Sequence, residues 1–340
     1  MKKILVTGGA GFIGAHTSLE LLHAGYEPVL LDDFSRSDRT LLHGLQQISG
    51  RNVEFHCVDL KDESQLEAVF AKHQDLNGVI HFAAFKSVSE SVENPLLYYH
   101  NNIGSLVNLL KVMKKYGINE IIFSSSCTVY GQPDQIPVTE QAPFKRPESA
   151  YGATKQMGEQ ILADQVRANP LLKAISLRYF NPIGAHPSGH MGELPLGVPT
   201  NLVPYITQTA VGKRKMLTIH GNDYATPDGS CLRDYIHVVD LAQAHVKAIQ
   251  LIDEMPTRNE AINIGSGIPV SVLELVKTFI QVSGVDLPYT VGPRRPGDVE
   301  KVYADPSKAR AILRWSTRYG AADALRDAWR WEQNLCHAPH

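Results

Sequence analysis

The stretch KILVTGGAGFIGAHTSLELLHAGY constrains this chain more than any other. A short apolar run is followed by Gly8, Gly11 and Gly14, and then by apolar residues at helical spacing up to a glycine stop. Strand, glycine turn, helix is the order that cradles a pyrophosphate. The glycines let the backbone come close, and the helix start offers free N–H groups and a positive dipole end. The alternation continues. EPVLLDD, VEFHCVDL and GVIHFAA read as strands, and DESQLEAVFAKH as a helix behind an acidic cap. NPLLYYHNNIGSLVNLLKVMKKYG reads as one long helix, EIIFSSSCTVYG as a strand and loop, YGATKQMGEQILADQVRA as a helix and KAISLRYFN as a strand.

Apolar strands alternating with helices predict an α/β fold, a doubly wound parallel sheet of Rossmann-like type, with a smaller α/β lobe for substrate. Ligands of such sheets sit outside the carboxyl ends of the strands. Asp32, Asp59, Ala83, Ser126 and Asn181 all follow strands. Asp32 ends the second strand, where a carboxylate can hold a ribose. It favours NAD over NADP, because it would repel a 2′-phosphate. The nearby Arg36 leaves the second cofactor open. From Pro182 the texture changes to long loops rich in proline, glycine and polar residues. Residues 1–181 are therefore expected to form the dinucleotide domain, with 236–268 returning to it, and 182–340 the second lobe.

The composition excludes several partner classes. With 340 residues, 43% hydrophobic and 20% charged, the chain reads as an ordinary globular protein. A net charge of −2 gives no footprint for nucleic acid or an anionic membrane. Cys57, Cys127, Cys231 and Cys336 are scattered, which fits free thiols in a reducing cytoplasm. The apolar run after the first lysines breaks after about four residues, too short for a leader. No run is long enough to span a bilayer. His186 and His190 are four apart but lie in a proline and glycine loop, so no metal is expected.

SAYGATK places Tyr151 and Lys155 one helical turn apart. A free tyrosine titrates at about 10 and is a poor base at neutral pH. A lysine ammonium and a bound nicotinamide cation are expected to lower it. The serine cluster SSSCTVYG ends the preceding strand, so Ser126 can face Tyr151 and hydrogen-bond a reacting hydroxyl.

These features resemble the extended short-chain dehydrogenase/reductases. HFAAFKSVSESVENPLLYY, RYFNPIGAHPSG, NLVPYI, RDYIHVVDLA and PRRPGD, spread over nearly the whole chain, narrow the likeness to the UDP-glucose 4-epimerase family. That resemblance implies an isomerase of galactose metabolism that interconverts UDP-glucose and UDP-galactose through a 4-keto sugar on tightly bound NAD. It makes Tyr151 the acid/base, with Lys155 tuning it and binding the nicotinamide ribose, and Ser126 holding the 4-hydroxyl. It implies an NAD site of Gly8, Gly11, Phe12, Ile13, Gly14, Asp32, Asp59, Leu60, Phe82, Ala83, Ala84, Lys86, Asn101, Ser124, Tyr151, Lys155 and Tyr179. It implies a UDP-sugar site of Lys86, Ser126, Tyr151, Phe180, Asn181, Asn201, Leu202, Thr218, His220, Arg233, Tyr235, Arg295, Asp298 and Val302. The arginines suit a diphosphate and the carboxylate suits ribose hydroxyls. A homodimer formed by the helices beginning near Pro95 and Tyr151 is also implied.

Val302 stands where some glucose-only relatives carry a bulky tyrosine, so UDP-N-acetylglucosamine and UDP-N-acetylgalactosamine are expected to fit. His220 stands at a uridine-side position that is often aromatic. A 4,6-dehydratase would need acidic residues just after the serine cluster, and SCTVYG has none. A decarboxylating relative would need a site for the sugar carboxylate, and none is identifiable. A sensor that had kept the fold and lost the chemistry would be expected to lose Tyr151, which is kept.

Overall fold

The computed structural model describes residues 1–295 and 299–337. The first half alternates β1 (Lys3–Thr7), α1 (Phe12–His23), β2 (Glu27–Asp32), α2 (Thr40–Ser49), β3 (Glu54–Cys57), α3 (Glu63–Lys72) and β4 (Leu76–His81). Short α4 (Val88–Glu93) and α5 (Pro95–Tyr98) lead to α6 (Gly104–Lys115), β5 (Glu120–Ser126), α7 (Ala150–Ala168) and β6 (Lys173–Tyr179). Caps set the helix starts. The Asp62 carboxylate accepts from the amides of Ser64 and Gln65 ahead of α3, and the Ser149 hydroxyl from that of Gly152 in α7.

The second half brings β7 (Asn181–Ile183), α8 (Leu202–Ala210), β8 (Leu217–His220), β9 (Leu232–His237), α9 (Val238–Leu251) and β10 (Asn259–Ile264). After these come β11 (Pro269–Ser271), α10 (Val272–Ser283), β12 (Tyr289–Gly292), β13 (Lys301–Val302), α11 (Ser307–Leu313) and α12 (Ala321–His337).

The large sheet is 7-stranded and parallel, in the order β10-β6-β5-β4-β1-β2-β3. It is the doubly wound sheet that the strand and helix alternation predicts, and its order reverses between β1 and β4. Period-2 alternation decides which residues face which layer. Ile4 and Val6 of β1 join the core beneath α1, α2 and α9, while Leu5 joins that beneath α3, α6 and α7. Each fully buried aliphatic side chain contributes about 1.5–3 kcal/mol. The second lobe is built on β9, flanked by β11 and β13 with β7 also paired to it, and on the separate β8–β12 pair. Its core is Ile206, Leu275, Phe279, Leu325 and their neighbours. No helix among the described residues is long and apolar enough to cross a membrane.

One expectation needs correcting. The long helix expected from Pro95 runs on to Lys115, but it is not regular, because it carries a π turn over Tyr99–Ile103. Successive side chains of a regular α-helix diverge by about 100°. The wider turn lets both Asn101 and Asn102 lie buried. Asn102 accepts from the Phe85 amide and donates to the Phe85 carbonyl and the Thr154 hydroxyl.

Three histidines are buried neutral around the sheet. Burial pushes His16 and His81 down to about 3 and His245 to about 4. Their folded values lie below the unfolded one, so between about pH 6.5 and 4 the unfolded chain binds more protons. Stability is therefore lost as pH falls through that window, on the order of 2 kcal/mol per histidine by pH 5. Urea midpoints measured from pH 7 to 5 should fall, with a shallower slope in a His81→Gln variant.

Candidate active site

The glycine turn is shaped by close approach. Gly8 has φ +68°, and a Cβ there would stand 2.9 Å from the Ala83 amide nitrogen. A Cβ on Gly14 would stand 2.2 Å from the Gly8 carbonyl oxygen. No side chain caps the start of α1, where Gly11, Phe12 and Ile13 stand. This end of the helix suits an anion. Asp32 is tied to the turn, its carboxylate accepting from the Ala10 amide at 3.1 Å, the Phe34 amide at 3.0 Å and the Ser37 hydroxyl at 2.7 Å. Burial nevertheless raises its pKa. Arg36 is engaged elsewhere, 2.6 Å from Glu90 and over the Phe85 ring. A carboxylate at the second strand with Arg36 already paired fits NAD.

Further along the same edge, Asp59 pairs with Lys61 at 3.1 Å, and Lys61 donates to Asn101 at 3.0 Å. Leu60 is buried behind them, while Phe82, Ala83 and Ala84 follow β4 and are partly exposed. The Phe82 ring packs on His245, which also meets Tyr179 edge-on.

Ser126 ends β5 beside Tyr179 of β6, and Tyr151 stands in the first turn of α7. The hydroxyl of Ser126 accepts from the Thr128 amide at 3.2 Å. Lys155 is buried, with its ammonium donating to the Ser124 carbonyl at 2.6 Å and lying 5.7 Å from the centre of the Tyr151 ring. In the chain without the cofactor's charge, burial dominates. Burial pushes Tyr151 up to about 12, opposed by a hydrogen bond with Ser126. Burial also pushes Lys155 down to about 7, opposed by the charge of Glu159. The chain alone therefore does not lower the phenol, because burial outweighs its hydrogen bond with Ser126 and the same desolvation weakens the charge on Lys155. Tyr179 is buried beside Ser124 with its hydroxyl lacking a well-formed hydrogen bond.

Among the residues expected to meet the sugar, Phe180 and Val302 share a buried apolar cluster with Tyr130 and Val138. Val302 pairs with Arg233, whose guanidinium donates to the Leu232 and Val299 carbonyls. Asn181 donates to the Asp234 carbonyl at 3.0 Å, and Asn181 pairs with Tyr235. Asn201 and Leu202 open α8. Thr218 and His220 lie exposed on β8, and His220 reaches the Pro293 carbonyl at 3.3 Å, two residues before the exposed Arg295. Asp298 lies outside the described residues.

The sequence reading missed two groups. Glu193 accepts from Lys86 at 2.9 Å and from Asn201 at 2.5 Å, joining the two lobes. Glu159 stands two turns after Tyr151 and pairs with buried Arg178 at 2.6 Å, while Ser125 donates to it at 2.5 Å. The spacing Tyr151, Lys155, Glu159 on one helix face was the available signal.

A parallel sheet with this turn, and a serine, tyrosine and lysine at its carboxyl edge, defines an extended short-chain dehydrogenase/reductase. Residues 5–328 match the family model described as GDP-mannose 4,6 dehydratase. The chain is 49% identical over 331 residues to UDP-glucose 4-epimerase of Bacillus subtilis, covering 97% of each chain. It is 48% identical over 336 residues to UDP-glucose 4-epimerase 2 of Arabidopsis thaliana, covering 98% of this chain and 95% of that one. The UDP-glucose 4-epimerase of Bifidobacterium longum, solved with NAD+ and UDP, superimposes with a TM-score of 0.94 at 45% identity over 98% of both chains. The chain belongs to the UDP-glucose 4-epimerase family.

Glu159→Gln leaves the Arg178 charge buried without its partner. Urea unfolding should show a loss of about 3–5 kcal/mol, and an apolar double replacement, Glu159→Leu with Arg178→Met, should recover most of it.

Proposed function

We propose that this protein interconverts UDP-glucose and UDP-galactose on tightly bound NAD, by way of a 4-keto sugar. The observation that carries the reading is the convergence of Ser126, Tyr151 and Lys155 beside a glycine turn that a Cβ would block. Residues 1–181 with 236–268 hold the cofactor, and 182–340 hold the UDP sugar. NAD, when bound, supplies a hydride acceptor and then a donor for sugar carbon 4, and its positive ring supplies the charge that draws down the phenol.

The chain's own residues do the rest. Tyr151 takes the 4-hydroxyl proton at its phenol oxygen and returns it to the other epimer. Ser126 orients that hydroxyl. Lys155 is held by the Ser124 carbonyl, where it can reach the ribose. The amides at the start of α1 and the side chain of Lys86 would hold the pyrophosphate of the cofactor, and Asp32 its adenosine ribose. Arg233 and Arg295 hold the UDP diphosphate, Asn181 and Asn201 position it, and Asp298 takes the uridine ribose. The keto sugar turns over against the apolar wall of Phe180 and Val302.

A dehydratase reading is favoured less. Elimination needs a second acid or base after β5, and that place holds Cys127, pushed up to about 12 by burial, and Thr128, whose hydroxyl is buried. Neither exchanges a proton near neutrality.

The valine at 302 supports a wider sugar range that includes the 2-N-acetylated pair. Four unpaired cysteines support a cytoplasmic setting, and galactose metabolism is the matching context. Val88, Val92, Leu96, Leu97 and Met157 are exposed on α4, α5 and α7, which supports a homodimer through that face.

Purified protein without added NAD should convert both UDP-galactose and UDP-N-acetylgalactosamine, with products resolved by chromatography. Conversion of UDP-galactose alone would refute the wider range. Failure with both, even after NAD is added, would refute the function. Tyr151→Phe should lower kcat by about 10²–10⁴-fold. Val302→Tyr should abolish turnover of the N-acetylated pair and retain the other. Leu96→Glu should shift sedimentation from dimer to monomer, and an unchanged monomeric wild type would refute the dimer.

A further inference from the structure

We propose that Glu54, His56 and His73 form a site for a divalent transition metal of the zinc class on the outer edge of the large sheet. Among the described residues they are the group of three ligand-bearing side chains whose donor atoms converge. The His56 and His73 Nε2 atoms are 2.9 Å apart, and each lies 3.4 Å from Glu54 Oε1. Tetrahedral zinc with bonds of about 2.0–2.1 Å sets its ligand atoms about 3.3 Å apart. The triangle is therefore close to one face of a zinc tetrahedron, with the two nitrogens needing only a few tenths of an ångström of opening.

Local structure explains why the three meet. Glu54 and His56 are two apart on β3, so they share a face. His73 ends α3, with its amide bonded to the Val69 carbonyl at 3.0 Å and its carbonyl accepting from Leu76 at 3.2 Å. Its ring is buried, while Glu54 is 39% exposed and leaves an entry for an ion and for water as the fourth ligand. The present contact between the rings places one proton between two nitrogens. An ion takes the place of that proton, which moves by way of solvent to Nδ1 of the same ring, so that both imidazoles bind as neutral ligands. Lys72 lies 2.6 Å from Glu54 Oε1, and with 60% of its side chain exposed it is free to swing out as the cation takes over its charge.

The site differs in kind from the His186 and His190 pair, because it joins a strand to a helix end. It is about 19 Å across the sheet from β5, counting four strand spacings. A bound ion there pins edge strand β3 to α3. It stabilises the fold and leaves the catalytic face untouched. Imidazole and carboxylate ligands suit zinc, with nickel and copper as competitors.

The test uses untagged full-length protein with its NAD, treated with chelator and dialysed. Calorimetric titration with zinc chloride should give one saturable site, and cobalt chloride should give the visible bands of tetrahedral cobalt. Both signals should weaken at least tenfold in His56→Gln and in Glu54→Gln, two variants at partly exposed positions. The rise in Tm caused by zinc should vanish in the same variants, with turnover of UDP-galactose unchanged. Absence of a saturable site, or equal binding by the wild type and both variants, overturns the proposal. Loss of turnover in His56→Gln overturns its separation from catalysis.

Discussion

The buried pair of Glu159 and Arg178 is the interaction on which the catalytic face depends. It crosses from α7 to β6, and Ser125 adds a bond from β5. Three elements are thereby locked at the place where Ser126, Tyr151 and Lys155 stand. Because Tyr151, Lys155 and Glu159 lie four residues apart, fixing the glutamate fixes the rotation of the whole helix. Further bonds extend the network. Arg178 donates to the Tyr130 hydroxyl, which donates to Asn263 of β10. A buried ion pair is a weak source of stability, since desolvation offsets most of its attraction. Its use here is placement.

That placement has an electrostatic consequence. Lys155 sits in a pocket dry enough to bring it to about 7, and Tyr151 in the same pocket rises to about 12. A pocket of this kind holds the proton on the phenol unless a positive charge stands beside it. At the other end of the sheet edge, Asp32 clamps the glycine turn through the Ala10 amide. Glu193 links Lys86 in the first lobe to Asn201 in the second. The loop after β4 and the start of α8 are thus tied together by one carboxylate.

Much of this was legible in the sequence because it rests on local pattern. The apolar runs marked the strands of the large sheet, and Gly8, Gly11 and Gly14 marked the turn. What stayed hidden depends on contacts between distant residues. The π turn at Tyr99–Ile103 carries no propensity signal and is set by the partners Asn102 finds at Phe85 and Thr154. Glu193 lies in a loop whose bond to Lys86 spans more than a hundred residues. The direction of the Tyr151 shift depends on how deeply Lys155 is buried, and spacing alone does not report depth. The edge cluster of Glu54, His56 and His73 is likewise assembled only when α3 folds back on β3.

The central claim is that Tyr151 and its neighbours confine the reacting sugar so that the hydrogen on carbon 4 leaves and returns within one closed site. It is tested most directly by feeding the purified protein UDP-galactose deuterated at carbon 4 in ordinary water and examining the UDP-glucose formed by mass spectrometry. Full retention of deuterium at carbon 4 is the predicted result. Loss of the label to solvent would contradict it and point to an epimerisation by proton exchange at that carbon.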